Sequence, residues 1–170
     1  MVRGLDIFRE QFRDHQESLV LIGGAACDDW FAREGLPFRA TQDLDVVLTL
    51  EAVKPGFTAA LRGFIADGGY EIRQRSENGP PILYRFAQPT DERYPHMLEL
   101  FSRSPDTIDL GPDQHIVPIP ADGDVHSLSA ILLNDHYYTL VREHHEVRDG
   151  VAFATAIALI PLKANAWLDL

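Results

Sequence analysis

The sequence predicts an α+β fold of α/β-like character, a mixed β-sheet flanked by helices. Three observations predict it. First, the apolar run Ser18-Leu-Val-Leu-Ile22 ends at Gly23-Gly24 and opens directly into a helical segment, and the β-branched run Leu44–Leu50 is again followed by a helical one. Second, the chain reads as short strands from Tyr70 to Ser102. Third, helical periodicity returns only toward the C-terminus. Two βα units followed by strands and late helices call for helices packed on a sheet of mixed direction.

Taken in order, Leu5, Phe8 and Phe12 recur at helical spacing and predict an amphipathic helix over 4–17. Residues 18–22 read as a buried strand. Ala25–Glu34 reads as a helix stopped by Gly35 and Pro37. Leu44–Leu50 is a second strand. Ala52–Asp67 reads as a helix with Pro55 and Gly56 in its first turn, closed by Gly68-Gly69. Tyr70–Arg75 and Ile82–Ala87 read as strands either side of the turn signal Glu77-Asn-Gly-Pro-Pro81. His96–Ser102 is another strand. Residues 103–124 are rich in Pro, Asp and Gly, with short apolar pieces such as His115–Val117. Ser127–Leu133 reads as a strand, Asn134 or Asp135 caps a helix to Glu143, and Val151–Ala154 is a short strand. The last helix, 157–170, is expected to bury Ile160, Ala164, Trp167 and Leu168. The 170 residues amount to one domain, 1–170, without internal repeats.

Fifteen Lys and Arg stand against twenty-six Asp and Glu, a net charge of −11. Such a surface repels phosphate backbones over most of its area, which argues against non-specific nucleic-acid binding. Cys27 is the one cysteine, so neither an intramolecular disulfide nor a cysteine-based zinc site is available. The first nineteen residues carry charges throughout and no apolar core of a signal peptide. Val151–Leu162, broken by Thr155 and Pro161, is shorter than the roughly 20 residues of a membrane span. The expectation is a soluble, cytoplasmic protein with no membrane partner.

Chemistry concentrates in three places. Gly23-Gly24 at a strand-to-helix turn reads either as a plain turn or as an anion site, where backbone N–H groups face a phosphate unobstructed by Cβ atoms. Asp43 and Asp45 stand two apart at the start of an apolar strand, so their side chains share a face. Two carboxylates there repel each other unless a cation sits between them; otherwise they are solvated loop or capping residues. Glu99 interrupts the apolar run Met97–Phe101, either on the outward side of an edge strand or as a third ligand. If its strand neighbours that of Asp43 and Asp45, three hard oxygen donors converge, a set suited to Mg²⁺ or Mn²⁺.

Gly-Gly at a strand-to-helix turn, then Thr41-Gln-Asp43-Leu-Asp45, then an acid on a later strand resembles the nucleotidyltransferase (DNA polymerase β-like) superfamily. Within it the pattern is most similar to the AbiEii-type nucleotidyltransferases, toxins of type IV toxin–antitoxin systems. The segments Ser129–Tyr138 and Ala158-Leu-Ile-Pro-Leu-Lys163-Ala-Asn-Ala-Trp167 resemble that group too. The resemblance implies a nucleotidyltransferase fold and Mg²⁺ (or Mn²⁺)-dependent transfer of a nucleoside monophosphate from an NTP to a hydroxyl of tRNA or a protein, with a cognate antitoxin as partner. It implies that Asp43, Asp45 and Glu99 are catalytic and bind metal, Glu99 also activating the acceptor hydroxyl. Gly23, Gly24, Thr41 and Lys163 would bind the nucleotide. The chain departs from the family in carrying Gly-Gly where Gly-Ser is common, in a longer Gly24–Asp43 interval, and in stopping where relatives continue with further helices.

Two other functions fit the same residues. An aminoglycoside-type enzyme uses the same parts on a small cationic acceptor, which an acidic surface attracts. A non-catalytic nucleotide-binding module would keep the fold without turnover. Elsewhere the plainer reading is preferred. His144-His145 is expected to be solvated, Cys27 a small packed residue, and Asp28-Asp29 turned away from any phosphate. Trp30, Phe31, Trp167 and Tyr137-Tyr138 are expected in the core. Arg39 either touches phosphate or is solvated.

Overall fold

Four-residue strands that are apolar at every position have no face to offer to water, and they take the middle of a sheet. β1 (Leu19–Ile22) and β9 (Val151–Ala154) are buried at all four positions and run parallel to each other. Around them, in a computed structural model that describes residues 2–39, 41–74, 81–104, 116–118 and 129–168, a mixed sheet is built. Its main path of seven strands has the order β3-β4-β5-β2-β1-β9-β8. The outer members are β2 (Asp43–Leu48), β3 (Glu71–Gln74), β4 (Pro81–Ala87), β5 (Met97–Ser102) and β8 (His145–Arg148). β6 (Ile116–Pro118) and β7 (Ser129–Leu132) pair with each other off this path, and β7 lies parallel to the far end of β5, beyond the stretch that β4 occupies.

The helices divide between the two faces. Leu44, Val46 and Leu48 of β2, with Leu98 and Leu100 of β5, point to one face and are fully buried. Helix α1 (Leu5–Gln11) and helix α3 (Phe57–Gly68) belong to that side, with Phe8, Phe12, Phe57, Phe64, Tyr70 and Tyr94 in a chain of tilted and edge-on ring contacts. The alternate residues Asp43 and Asp45 lie on the opposite face, toward α2 (Gly23–Arg33), which packs against α5 (Ala156–Leu168). Helix α4 (Asp135–Glu143), capped by the Asn134 side chain on the His136 N–H, packs on α5 in turn.

The α+β class and the mixed sheet agree with expectation, and most elements fall within a few residues of the places read from sequence. Four details differ. The first helix stops at Gln11, and residues 13–18 form a tighter 3-10 segment with a kink at His15. The third helix begins at Phe57 rather than Ala52, because Gly56 adopts φ +87° and ends the preceding loop; residues 50–52 form a separate 3-10 turn. A strand at His145–Arg148 is new. It forms a hairpin with β9 across Asp149-Gly150, both at positive φ, the dipeptide that favours such turns. Finally, α5 buries Ala158 and Leu159, while Ile157, Ile160 and Trp167 are 58%, 68% and 76% exposed. Phe31 is exposed as well, whereas Tyr138 is in the core. The turn expected at 77–80, most of the 103–124 stretch and the end of the last helix at 169–170 lie outside the described residues. Among the described residues no helix is long and apolar enough to cross a membrane.

Candidate active site

The two acids of β2 occupy its first and third positions and are half-buried, between the apolar residues that anchor the strand. β5 lies beside β2 in parallel register, with Asp45 opposite Glu99 and Asp43 opposite Met97. The neighbourhood on which the three-carboxylate expectation depended is therefore present. Glu99 shares the face of Asp43 and Asp45, since paired residues of adjacent strands point the same way.

β4 continues the row. Arg85 is in register with Glu99, and its Nε donates to Glu99 Oε1. A line of charge, Asp45–Glu99–Arg85, thus crosses three adjacent strands. The sequence reading did not single out Arg85; its signal was a lone cation inside the apolar run of β4, interpretable only once the register was known. One guanidinium does not balance three carboxylates. Burial, then the Glu99 charge, push the Asp45 carboxyl up to about 6, with Asp43 adding to the rise and Lys163 and Arg85 opposing it. Asp43 Oδ1 is buried and has no hydrogen-bond partner.

The glycine turn closes over these acids. Gly23 adopts φ +62°, and a Cβ on it would lie 1.9 Å from Asp45 Oδ2. A Cβ on Gly24 would lie 2.6 Å from Thr41 Oγ1. A side chain at Gly23 would be strained by the positive φ and would displace Asp45, and one at Gly24 would require Thr41 to shift, so the start of α2 rests directly on Asp45 and Thr41. The Lys163 side chain is exposed at the edge of the site, and its charge acts on both Asp45 and Cys27. Gly23, Thr41, Asp43, Asp45, Glu99 and Lys163 therefore come from four separate stretches of chain to one end of the sheet. Arg39 is exposed, and its charge reaches Cys27. Burial raises the Cys27 thiol pKa, against the opposing charges of Lys163 and Arg39. Asp29 turns to Arg148 on β8, with Arg148 Nη2 2.6 Å from Asp29 Oδ2, away from the glycine turn as expected.

Among the described residues no three His, Cys, Asp or Glu side chains are grouped so as to enclose a metal ion. Glu99 is engaged by Arg85, which leaves two carboxylates, one of them with an unpartnered oxygen. That donor set fits Mg²⁺ in its usual manner of binding, through one or two carboxylates with water and substrate phosphate completing the shell. It does not form a closed protein cage. No protein-family model, curated protein or solved structure matches this chain.

Proposed function

We propose that this chain is a nucleotidyltransferase dependent on Mg²⁺ or Mn²⁺, transferring a nucleoside monophosphate from an NTP to a hydroxyl. The observation that carries the reading is the Asp43–Asp45 pair facing Glu99 in register beneath a side-chain-free helix start. Clustered, incompletely compensated carboxylates are a cost to folding, and a cation with its phosphates turns that cost into binding.

In this reading Asp43 and Asp45 hold the cation, which when bound withdraws charge from the phosphoryl group in transfer and from the leaving pyrophosphate. The backbone N–H groups at Gly23 and Gly24 receive the phosphate chain, and Lys163 contributes a point charge to it. The acceptor oxygen bonds to the α-phosphorus as the α–β bridging P–O bond breaks and pyrophosphate leaves. Glu99 takes the hydroxyl proton, for which Arg85 must loosen its grip. Most of the acceleration would be positioning and electrostatics. The nucleotidyltransferase fold, the AbiEii-type toxin role, a tRNA or protein acceptor and an antitoxin partner belong to the same proposal and rest on the resemblance of the sequence motifs.

The test is transfer of label from each α-labelled NTP, with Mg²⁺, to separate pools of tRNA, protein and aminoglycosides. Asp43→Ala and Asp45→Ala are expected to lower turnover by at least roughly 100-fold with the fold intact by circular dichroism. Full turnover in either variant overturns the assignment. The net charge of −11 favours one second reading, a cationic small-molecule acceptor, and labelling confined to the aminoglycoside pool would select it.

A further inference from the structure

A groove of about 320 Å³ lies between α2 and α5, lined by Cys27, Trp30 and Phe31 of α2 and by Ala156, Leu159, Ile160 and Lys163 of α5. Its place follows from helical spacing. Gly23, Cys27, Trp30 and Phe31 stand at i, i+4, i+7 and i+8, one stripe of α2 that starts against Asp45 and leads into the groove. Ala156, Leu159, Ile160 and Lys163 form the matching stripe of α5. From Gly23 to Trp30 the helix advances about 10 Å, comparable to the reach from the phosphates of a nucleotide to its base.

The groove is therefore chemically two-ended. One end is aromatic and aliphatic, with Phe31 and Ile160 partly open to solvent. The other end carries the Lys163 ammonium, within electrostatic reach of Asp45. An occupant that matches both ends has a flat apolar part joined to an anionic part. Its volume lies at the lower bound of small-molecule sites and is ample for one heteroaromatic ring system. Aromatic side chains stack on bases without regard to sequence.

We propose that this groove holds the base of the nucleoside triphosphate, with Trp30 and Phe31 on one side and Leu159 and Ile160 on the other. Lys163 then spans base and phosphates and fixes the direction in which the nucleotide lies along α2. This inference rests on the nucleotidyltransferase reading and adds to it where the base goes.

Cys27, the chain's sole thiol, lines the groove and reports its occupancy. The native protein would be labelled with N-ethylmaleimide and followed by intact mass, with Mg²⁺ and either an NTP or inorganic tripolyphosphate. NTP binding is measured in parallel by calorimetry. At ten times its Kd an NTP is expected to slow Cys27 labelling about tenfold, by mass action. Tripolyphosphate, which lacks a base, is expected to leave the rate unchanged. Nucleotide binding with undiminished labelling overturns the inference and leaves the enzymatic reading standing. Protection by tripolyphosphate equal to that by NTP also overturns it, since phosphates alone would then cover the thiol. Absence of both NTP binding and turnover removes the enzymatic reading itself. A second measurement uses Ile160→Glu, at a rim position 68% exposed, where folding tolerates a charge. It is expected to raise KM for the NTP about tenfold with kcat nearly unchanged. An unchanged KM contradicts the placement.

Discussion

Asp45 shows what the site costs the fold. Its carboxyl titrates near 6 in the folded protein, against 3.8 when unperturbed, because burial and the Glu99 charge oppose ionisation. The folded state therefore holds this proton more firmly than the unfolded chain does. Well below its unperturbed value of 3.8 Asp45 is protonated in both states and the penalty is absent. It grows as pH rises through the window between the two values and is complete above the folded one. Asp45→Asn is thus expected to stabilise the metal-free protein at pH 8 by about 2–3 kcal/mol and to change little at pH 4. Urea midpoints in a chelator at the two pH values check this, and equal shifts at both would contradict it. Gly24 makes a separate point. A side chain there meets Thr41 Oγ1, so Gly24→Ser is expected to cost about 1–3 kcal/mol by overpacking. Adding Thr41→Ala to the same chain opens the space and is expected to recover most of the loss, which a double-mutant cycle of melting temperatures measures. The absence of a side chain at Gly24 has its steric partner in Thr41.

At the scale of elements, register decides the site. Glu99 meets Asp45 because β5 runs parallel to β2 without a slip; a shift of one residue would turn Glu99 to the opposite, fully apolar face. The antiparallel β4 then brings Arg85 to Glu99. Arg85→Gln is expected to lower the melting temperature in chelator, since three acids then lack this counter-ion, and to enlarge the rise on adding Mn²⁺, since Glu99 is free to join the ion. An unchanged or smaller Mn²⁺ effect would show that Arg85 only packs. Strand β8 was missed because its residues are polar and half of its hairpin is exposed, although Asp149-Gly150 was a readable signal. The apolar face of α5 was misread for a different reason. The helix is apolar on most sides, so periodicity gave no unique buried stripe. Contacts with β9 and α2 select Ala158 and Leu159, and Ile160 is left at the groove.

For the molecule as a whole, the charge of −11 is unevenly used. Some carboxylates are tied into cross-links between elements. Glu51 takes the Tyr138 hydroxyl and the Arg103 guanidinium, joining the turn after β2 to α4 and to the end of β5. Asp29–Arg148 and Arg33–Glu146 strap α2 to the β8 strand. The acids at the glycine turn are tied by less. Duplex DNA at low salt is expected not to bind, as a gel-shift titration would show, because the surface field repels it. Retention that strengthens as salt falls would reveal a basic groove and contradict this.

The sequence by itself determined the local order of the chain. Strand runs, glycine punctuation and the Asp43–Asp45 spacing are written in neighbouring residues, and each needs only backbone geometry to interpret. The strand-to-helix turn at Gly23-Gly24 was legible for the same reason; its seat on Asp45 and Thr41, a contact between strands, was not. Only the tertiary structure decided which strands lie side by side, and hence that Glu99 faces Asp45, that Arg85 holds Glu99, and that α2 and α5 leave a groove between them. Those are contacts between residues far apart in sequence. Their selection rests on packing free energy summed over the whole sheet, which no short window of sequence contains.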